Sequence, residues 1–240
     1  MNKPATLFAI FVFTLFLLAT DSCRQQPELS PAQTASPTIV VLSVKGIIDP
    51  VLVDYIDRGI KQAEKEHAVA CVFQLDTPGG LDTARCDIIQ LMDNAQVPIV
   101  VYVPAGARAA SAGFFITMAA DIAAMAPDST IGAAHPVTVG TEGEAQMSEA
   151  MKGKVVNDAV AYAQGIAKAH GRNVEWAEKA VRESAAVLAR EALELRVIEI
   201  VATNLENLIS QLDGRQVATP DGRVVTLNTR GATIVHVLEK

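Results

Sequence analysis

Short β-branched runs alternate along this chain with longer stretches in which apolar residues recur at helical spacing. Thr38 to Val44 (TIVVLSV) is the first such run, and Val51 to Glu66 follows it with Leu52, Ile56, Ile60 and Ala63 on one face. The plan then repeats. Val69 to Leu75 (VACVFQL) predicts a strand, Leu81 to Ala95 a helix carrying Ala84, Ile88, Leu91 and Ala95 on one face, and Ile99 to Val103 (IVVYV) another strand. Strands that alternate with helices and read as nearly continuous apolar runs predict an α/β core built on a parallel sheet.

Further along, Ile122 to Ala126 predicts a short strand and Ser148 to Ala169 a long helix. Val174 to Arg182 and Ala189 to Leu195 predict shorter helices, and Val197 to Ala202 a last core strand. Gln216 to Asn228 places two alternating runs around Pro220-Asp221-Gly222, a turn signal, and predicts a small C-terminal β-hairpin appended to the core. No internal repeat is visible.

The N-terminus departs from this plan. Lys3 precedes an uncharged apolar stretch from Pro4 to Thr20, followed by Asp21, Ser22 and Cys23. A spanning helix takes about 20 apolar residues, and this shorter stretch is interrupted by Thr6 and Thr14, so residues 1–23 predict an export leader. Cys23 stands where a lipoprotein leader places its acylated cysteine, although Thr20-Asp21-Ser22 is a poor approach to it. Residues 24–37, rich in Pro, Gln, Ser and Thr, read as a flexible tether, which leaves 38–240 as one domain of ordinary size. The expected location is the extracytoplasmic side of a membrane, with Cys23 as a candidate lipid anchor.

Composition removes some functions. A formal net charge of -7 argues against a surface that tracks phosphates, so no nucleic-acid partner is expected. Three cysteines make no disulfide framework, and Cys71 and Cys86 read as small buried hydrophobes within a strand and a helix. No metal and no cofactor are expected.

Three clusters of glycine and small residues follow successive strands: Asp76 to Gly80, Ala105 to Gly113, and Ser129 to Gly132. In parallel sheets, sites gather beyond the carboxyl ends of the strands. Gly79-Gly80 exposes backbone N–H groups and could cradle a phosphate, but it lacks the Lys-Ser/Thr ending of a phosphate loop. The same geometry serves an oxyanion hole, with Gly80 as one donor. Ser111, among Ala109, Ala110, Ala112 and Gly113, is open to a substrate backbone; the same small residues also suit tight helix packing.

A serine nucleophile needs a base. Of the four histidines only His135 follows one of these loops, so a Ser-His-Asp triad would use it. A desolvated lysine can replace histidine, and Lys152, Lys154 and Lys168 are the candidates. Lys154 precedes Val155, Val156, Ala159 and Tyr162 and can stand beside the apolar face of the long helix, although a lysine in such a place is ordinarily exposed.

Taken in order, Leu75 to Gly80, Ala109 to Gly113, Met125 to Pro127 with Ser129 to Gly132, Lys154 to Asp158 with Tyr162, and Gly171-Arg172-Asn173 resemble the NfeD-type membrane-associated serine peptidases, over a span from about Ile39 to about the chain end. The resemblance implies a ClpP/crotonase-like spiral of ββα units and an ATP-independent serine endopeptidase. By the same resemblance, Ser111 is the nucleophile and Lys154 the general base, and the N–H groups of Gly80 and Ala112 form the oxyanion hole. It further implies cleavage of apolar peptide segments, with a stomatin-like membrane protein as substrate, and a homodimer or larger assembly. Gly79 and Phe114 are assigned to substrate contact, with Phe115 and Met118 as further candidate pocket walls, although residues of this kind more often pack in a core. Asp158, one turn beyond Lys154, is expected to point away, because a nearby carboxylate would raise the lysine pKa. Family members commonly continue into membrane spans and a small β-barrel, and this chain reads as a short form or a truncated one. Two rival readings are a non-catalytic membrane-proximal scaffold and a crotonase-like acyl-transfer enzyme, the latter lacking its usual carboxylate pair.

Overall fold

The computed structural model describes residues 36–137, 148–218, 222 and 224–239. The leader predicted at 1–23, with Cys23, and all but the last two residues of the tether at 24–37 lie outside the described residues.

The first half follows the strand-helix alternation. Strand β1 (Thr38–Lys45) leads into α1 (Pro50–Lys65), β2 (Ala70–Asp76), α2 (Asp82–Asp93) and β3 (Ile99–Val103). Asp49 caps α1 by accepting from Leu52 N–H at 2.9 Å, and Pro50 supplies a preset φ in the first turn. The apolar stripe predicted for this helix, Leu52, Ile56, Ile60 and Ala63, is buried. Gly59 lets the helix lie directly on the sheet, since a Cβ there would come within 2.3 Å of the Leu42 side chain.

The middle of the chain is more finely divided than its pattern suggested. It runs β4 (Arg108–Ala110), α3 (Ala112–Met118), β5 (Ile122–Met125) and β6 (Thr130–Gly132), then α4 (Glu149–Ala169), α5 (Val174–Arg182), β7 (Ala186–Leu188), α6 (Ala189–Glu194) and β8 (Ile200–Val201). Helix α3 left no periodic trace because all seven of its residues are buried, so no polar face interrupts the run. The three-residue strands β4, β6 and β7 are too short to show a period.

The core sheet has the order β11-β1-β2-β3-β5-β8, where β11 is the final strand Thr233–Val237, and every pair is parallel. This is the parallel α/β core that was expected. Both faces are covered: Val40, Leu42, Cys71, Phe73, Val101 and Met125 point into one apolar cluster, and Ile39, Val41, Val72, Val100, Tyr102 and Ala124 into another. The strict alternation between clusters is the two-residue period of a strand, and burial on both sides explains why the strands read as continuous apolar runs. A second sheet, β4-β6-β7, stands apart from it.

The tail carries the expected hairpin but not as an appendage. Helix α7 (Leu205–Leu212) and the antiparallel hairpin of β9 (Gln216–Ala218) and β10 (Val224–Thr226) are not an appendage, because Leu208, Leu212, Val217 and Leu227 fill the second face of the core sheet. The final strand, β11 (Thr233–Val237), joins that sheet beside β1. Tyr55 locks this junction: its hydroxyl accepts from Ser43 N–H at 3.0 Å and donates to the Val237 carbonyl at 2.9 Å.

The Gly171-Arg172-Asn173 motif is a structural clasp. Gly171, at φ +66°, ends α4, and Asn173 caps α5 by accepting from Trp176 N–H. Between them Arg172 is buried; it donates two hydrogen bonds to Glu199, at 2.9 and 2.7 Å, and one to the Met118 carbonyl at 2.6 Å. The end of α3 is thereby held against the approach to β8. Arg172→Leu strands the Met118 carbonyl and a Glu199 carboxylate that is a third exposed, and an acceptor left without its donor costs about 1–3 kcal/mol. The variant is therefore expected to lower the unfolding free energy by about that amount, read as a lower denaturant midpoint with an unchanged slope.

Two partly buried groups near this clasp titrate in opposite senses. Burial raises Asp121 to about 6, with its hydrogen bond from Ile99 N–H and the charge of Arg172 acting the other way. Burial, reinforced by Arg172, lowers His170 to about 4. The folded Asp121 holds its proton more tightly than the unfolded one, so its contribution to stability is lost as pH rises through about 6. The folded His170 resists protonation, so its contribution is lost as pH falls from about 6.5 through about 4. In Asp121→Asn only the histidine slope remains, and the denaturant midpoint should rise more steeply with pH between about 4 and 6.5 than in the parent chain. Equal slopes would refute this assignment.

Candidate active site

The three small-residue loops converge at the carboxyl ends of the core strands. Thr77 N–H donates to the Arg108 carbonyl (2.8 Å) and Ala110 N–H to the Thr77 carbonyl (3.2 Å), which stitches the loop after β2 to β4. Thr77 is completely buried; its hydroxyl accepts from Gly79 N–H at 3.0 Å. Gly113 is required by this packing, because a Cβ there would meet the Thr77 methyl at 2.4 Å.

Ser111 sits at the junction of β4 and α3, half-buried, with φ +52° and ψ -115°. A non-glycine residue held at positive φ costs on the order of 1–3 kcal/mol, and such strain collects at functional sites. The strain is held by neighbours: Ser111 N–H donates to the Gly132 carbonyl at 3.1 Å, and Phe114 N–H to the Ser111 carbonyl at 3.0 Å. Gly132, at φ +129°, has no room for a side chain, since a Cβ would come within 2.2 Å of the Ala185 carbonyl oxygen.

Gly79 lies directly against the serine. Its φ is +124°, and a Cβ there would stand 2.7 Å from Ser111 Cβ and 3.0 Å from Oγ. Gly80 is exposed and bridged to Ile48: Ile48 N–H donates to the Gly79 carbonyl (2.9 Å) and Leu81 N–H to the Ile48 carbonyl (2.8 Å). That pattern leaves the Gly80 N–H out of the ladder. Ala112 opens α3, where first-turn N–H groups lack helical acceptors. Among the described residues neither the Gly80 nor the Ala112 N–H has an acceptor.

Other expectations fare differently. Phe114 is no substrate wall: it is completely buried, with ring contacts to Phe115 at 5.0 Å and Trp176 at 5.8 Å, because α3 passes through the core. Phe115 and Met118 are buried with it. His135 is engaged elsewhere, its Nδ1 2.9 Å from the Val181 carbonyl oxygen. Lys154, in the second turn of α4, is exposed and not desolvated, and the same is true of Asp158. The reason is local: α4 first contributes a buried side chain at Val160, and no residue from Glu149 to Val155 is covered. Lys152 pairs with Glu149 at 2.7 Å, whereas Lys154 has no carboxylate partner among the described residues. The segment 138–147 that leads to α4 lies outside the described residues.

One neighbour of the site left little trace in the sequence. Arg85 of α2 is buried over the adjoining rings of Phe115 and Tyr162, 4.2 and 4.5 Å from their centres, and donates to Asp82 Oδ1 at 2.6 Å. It ties α2, α3 and α4 together one turn below Ser111, and its Nη1 has no partner among the described residues. The available signal was an arginine between Ala84 and Ile88 on an apolar stripe. Among the described residues no cluster of His, Cys, Asp or Glu could hold a metal ion, and no helix is long and apolar enough to cross a membrane.

A strained serine at a strand-to-helix junction beside unpaired backbone donors, on a parallel α/β core, is the arrangement of a ClpP-like fold. Residues 38–219 match the family described as NfeD1b, N-terminal domain, and the chain belongs to that family. It is 37% identical over 196 residues to the membrane-bound protease PH1510 of Pyrococcus horikoshii, covering 81% of this chain and 44% of that protein. It is 32% identical over 103 residues to the membrane protein NfeD1b of Bacillus subtilis, covering 43% of this chain and 23% of that one. The chain thus spans less than half the length of these relatives. Among solved structures, the stomatin-specific membrane protease 1510-N, as a lysine-to-alanine variant in complex with a substrate peptide, superposes with a TM-score of 0.79 at 33% identity, covering 85% of this chain and 93% of that one. A serine-to-alanine variant of 1510-N gives a TM-score of 0.79 at 32% identity, covering 85% and 99%.

The glycines are expected to separate by environment. Gly79→Ala places a methyl on Ser111 and should cost at least about 1–3 kcal/mol of stability. Gly153→Ala, in the exposed part of α4 where a Cβ meets nothing within 4 Å, should raise stability by about 0.5–1 kcal/mol. Denaturant titration of the two variants checks both signs.

Proposed function

We propose that this chain is a serine endopeptidase that works through an acyl-enzyme on Ser111, with Lys154 as general base. The observation that carries the reading is the strained Ser111 held against Gly79, with the free N–H groups of Gly80 and Ala112 in the neighbouring turns. Likeness to proteins named as membrane-bound and stomatin-specific proteases supports it.

In this reaction the Lys154 amine takes the Ser111 hydroxyl proton as Oγ attacks the peptide carbonyl. The oxygen that gains the electron pair lies toward the Gly80 and Ala112 N–H groups, each worth about 3–4 kcal/mol to the transition state. Collapse breaks the C–N bond, and Lys154 returns the proton to the leaving amine. Water then attacks the ester, again through Lys154, and frees Ser111. No nucleotide takes part.

A free amine at neutral pH needs desolvation, and the turn that carries Lys154 is bare in the isolated chain. We assign its cover to the bound substrate or to a second copy in a homo-oligomer. The substrate class is an apolar segment of a membrane-associated, stomatin-like protein, met on the extracytoplasmic side of the membrane. The exposure of Lys154 is also the observation that favours the rival reading, a non-catalytic scaffold.

Hydrolysis of an apolar-rich peptide by the full chain, beside Ser111→Ala, Lys154→Ala and Lys154→Arg, separates the two. All three variants should remain folded and lose at least about 10³-fold in kcat. Lys154→Arg belongs with the inactive set because a guanidinium stays protonated. Equal rates in all four proteins would leave the scaffold reading standing.

A further inference from the structure

Three large apolar side chains lie exposed on the segments that flank the Gly79–Gly80 turn. Ile47 and Val51 are each 65% exposed and Leu81 is 52% exposed, large apolar side chains that the fold leaves in water. They are not scattered over the surface. Ile47 precedes Ile48, Leu81 follows Gly80, and the Ile48–Gly80 bridge binds these two segments through hydrogen bonds of 2.9 and 2.8 Å. Val51 stands in the first turn of α1, whose cap, Asp49, follows Ile48 directly. Ile48 itself is completely buried, so the chain spends one isoleucine on the core and turns its neighbour outward.

We propose that Ile47, Val51 and Leu81 form the subsite that receives an apolar side chain of the peptide whose carbonyl reaches the Gly80 N–H. This rests on the reading of Ser111 and the Gly79–Gly80 turn as the catalytic centre. The continuity is covalent: Leu81 is the next residue after the proposed oxyanion donor, and Gly79, the residue before it, abuts Ser111. An apolar side chain that leaves water against these three residues gains in proportion to the apolar area it buries. Bound there, it also fixes the register of the peptide relative to Ser111.

Charge decides between a peptide and a lipid surface. Lys45 and Asp54, both exposed, offset one another on these segments, Asp82 is paired with Arg85 at 2.6 Å, and Asp49 is engaged as the cap of α1, so no basic excess surrounds the three side chains. A rim without a basic cluster gives an anionic membrane surface no charge to bind and leaves an uncharged apolar segment unopposed.

The test separates binding from cleavage. A fluorescent decapeptide with a Leu-Val-rich centre, and its twin with Ser and Gln there, are titrated against the full chain carrying Ser111→Ala, with and without Ile47→Ser and Leu81→Ser. Each lip substitution should raise Kd for the apolar peptide about tenfold, and the preference over the polar twin should shrink in proportion. Val224→Ser, which removes an equally exposed side chain from β10, should change neither value. An unchanged Kd, an equal loss for both peptides, or the absence of saturable binding overturns the subsite. So does loss of co-sedimentation with phosphatidylglycerol vesicles while peptide affinity is kept, which makes the lip a membrane contact. If the apolar preference depends on the lip but the chain with Ser111 intact cleaves neither peptide, the catalytic reading fails and the subsite survives it.

Discussion

The candidate centre depends on four segments meeting so closely that two of the contact positions admit no side chain. Gly79 touches Ser111, Ser111 donates to Gly132, and Gly132 is pressed against Ala185. This stack ties the loop after β2 to the small β4-β6-β7 sheet and forces Ser111 into a conformation it would not choose. The energy that holds Ser111 there comes from outside the centre, from strands whose two faces are both buried. Interiors this densely packed do not yield continuously to strain, so the serine keeps its orientation without help from a ligand.

Helix α3 links this centre to the rest of the molecule. Its first residue carries an N–H with no acceptor among the described residues, its body runs through the core as Phe114 and Phe115, and its far end is held by Arg172 through the Met118 carbonyl. Arg85 grips the middle from the side, its guanidinium carbon 4.2 and 4.5 Å from the ring centres of Phe115 and Tyr162. Two buried arginines thus fix the short helix at two levels, one through aromatic faces and one through a carboxylate. Lysine would not serve as well in either place, since it has neither a planar face nor a fork of donors.

How much of this was legible depended on whether a residue's environment lies close to it in sequence. Strands β1, β2 and β3 and helices α1, α2, α4 and α5 were readable because each carries its own period and punctuation, as Asp49-Pro50 does for α1. Helix α3 was not, since a segment buried on every side has no polar phase to reveal it. Within the site, Ser111 and the glycine pair stood out by their small neighbours, and the family resemblance ordered them. The need for Gly113 was invisible because it lies in the Thr77 methyl, a contact made only in the folded chain. Phe114 was misplaced for a related reason: α3 is buried on every side, so a residue close to Ser111 in sequence enters the core and not the cleft. The environment of Lys154 is set by whatever lies over the start of α4, and that surface belongs to no periodic pattern of the chain.

The junction locked by Tyr55 has a consequence for biogenesis. Strand β1 opens the described fold and β11 closes it, yet the two are hydrogen-bonded neighbours. A ribosome adding about 5–20 residues per second needs roughly 10–40 seconds to travel from one to the other. Throughout that interval β1 has a bare edge, the kind of template on which chains aggregate. Contacts this distant in sequence also slow the folding step itself, because the largest loop must be closed before its ladder returns anything. The nascent chain therefore has a long period in which a holding factor, or delay of folding until synthesis ends, is the difference between a closed sheet and a shared one.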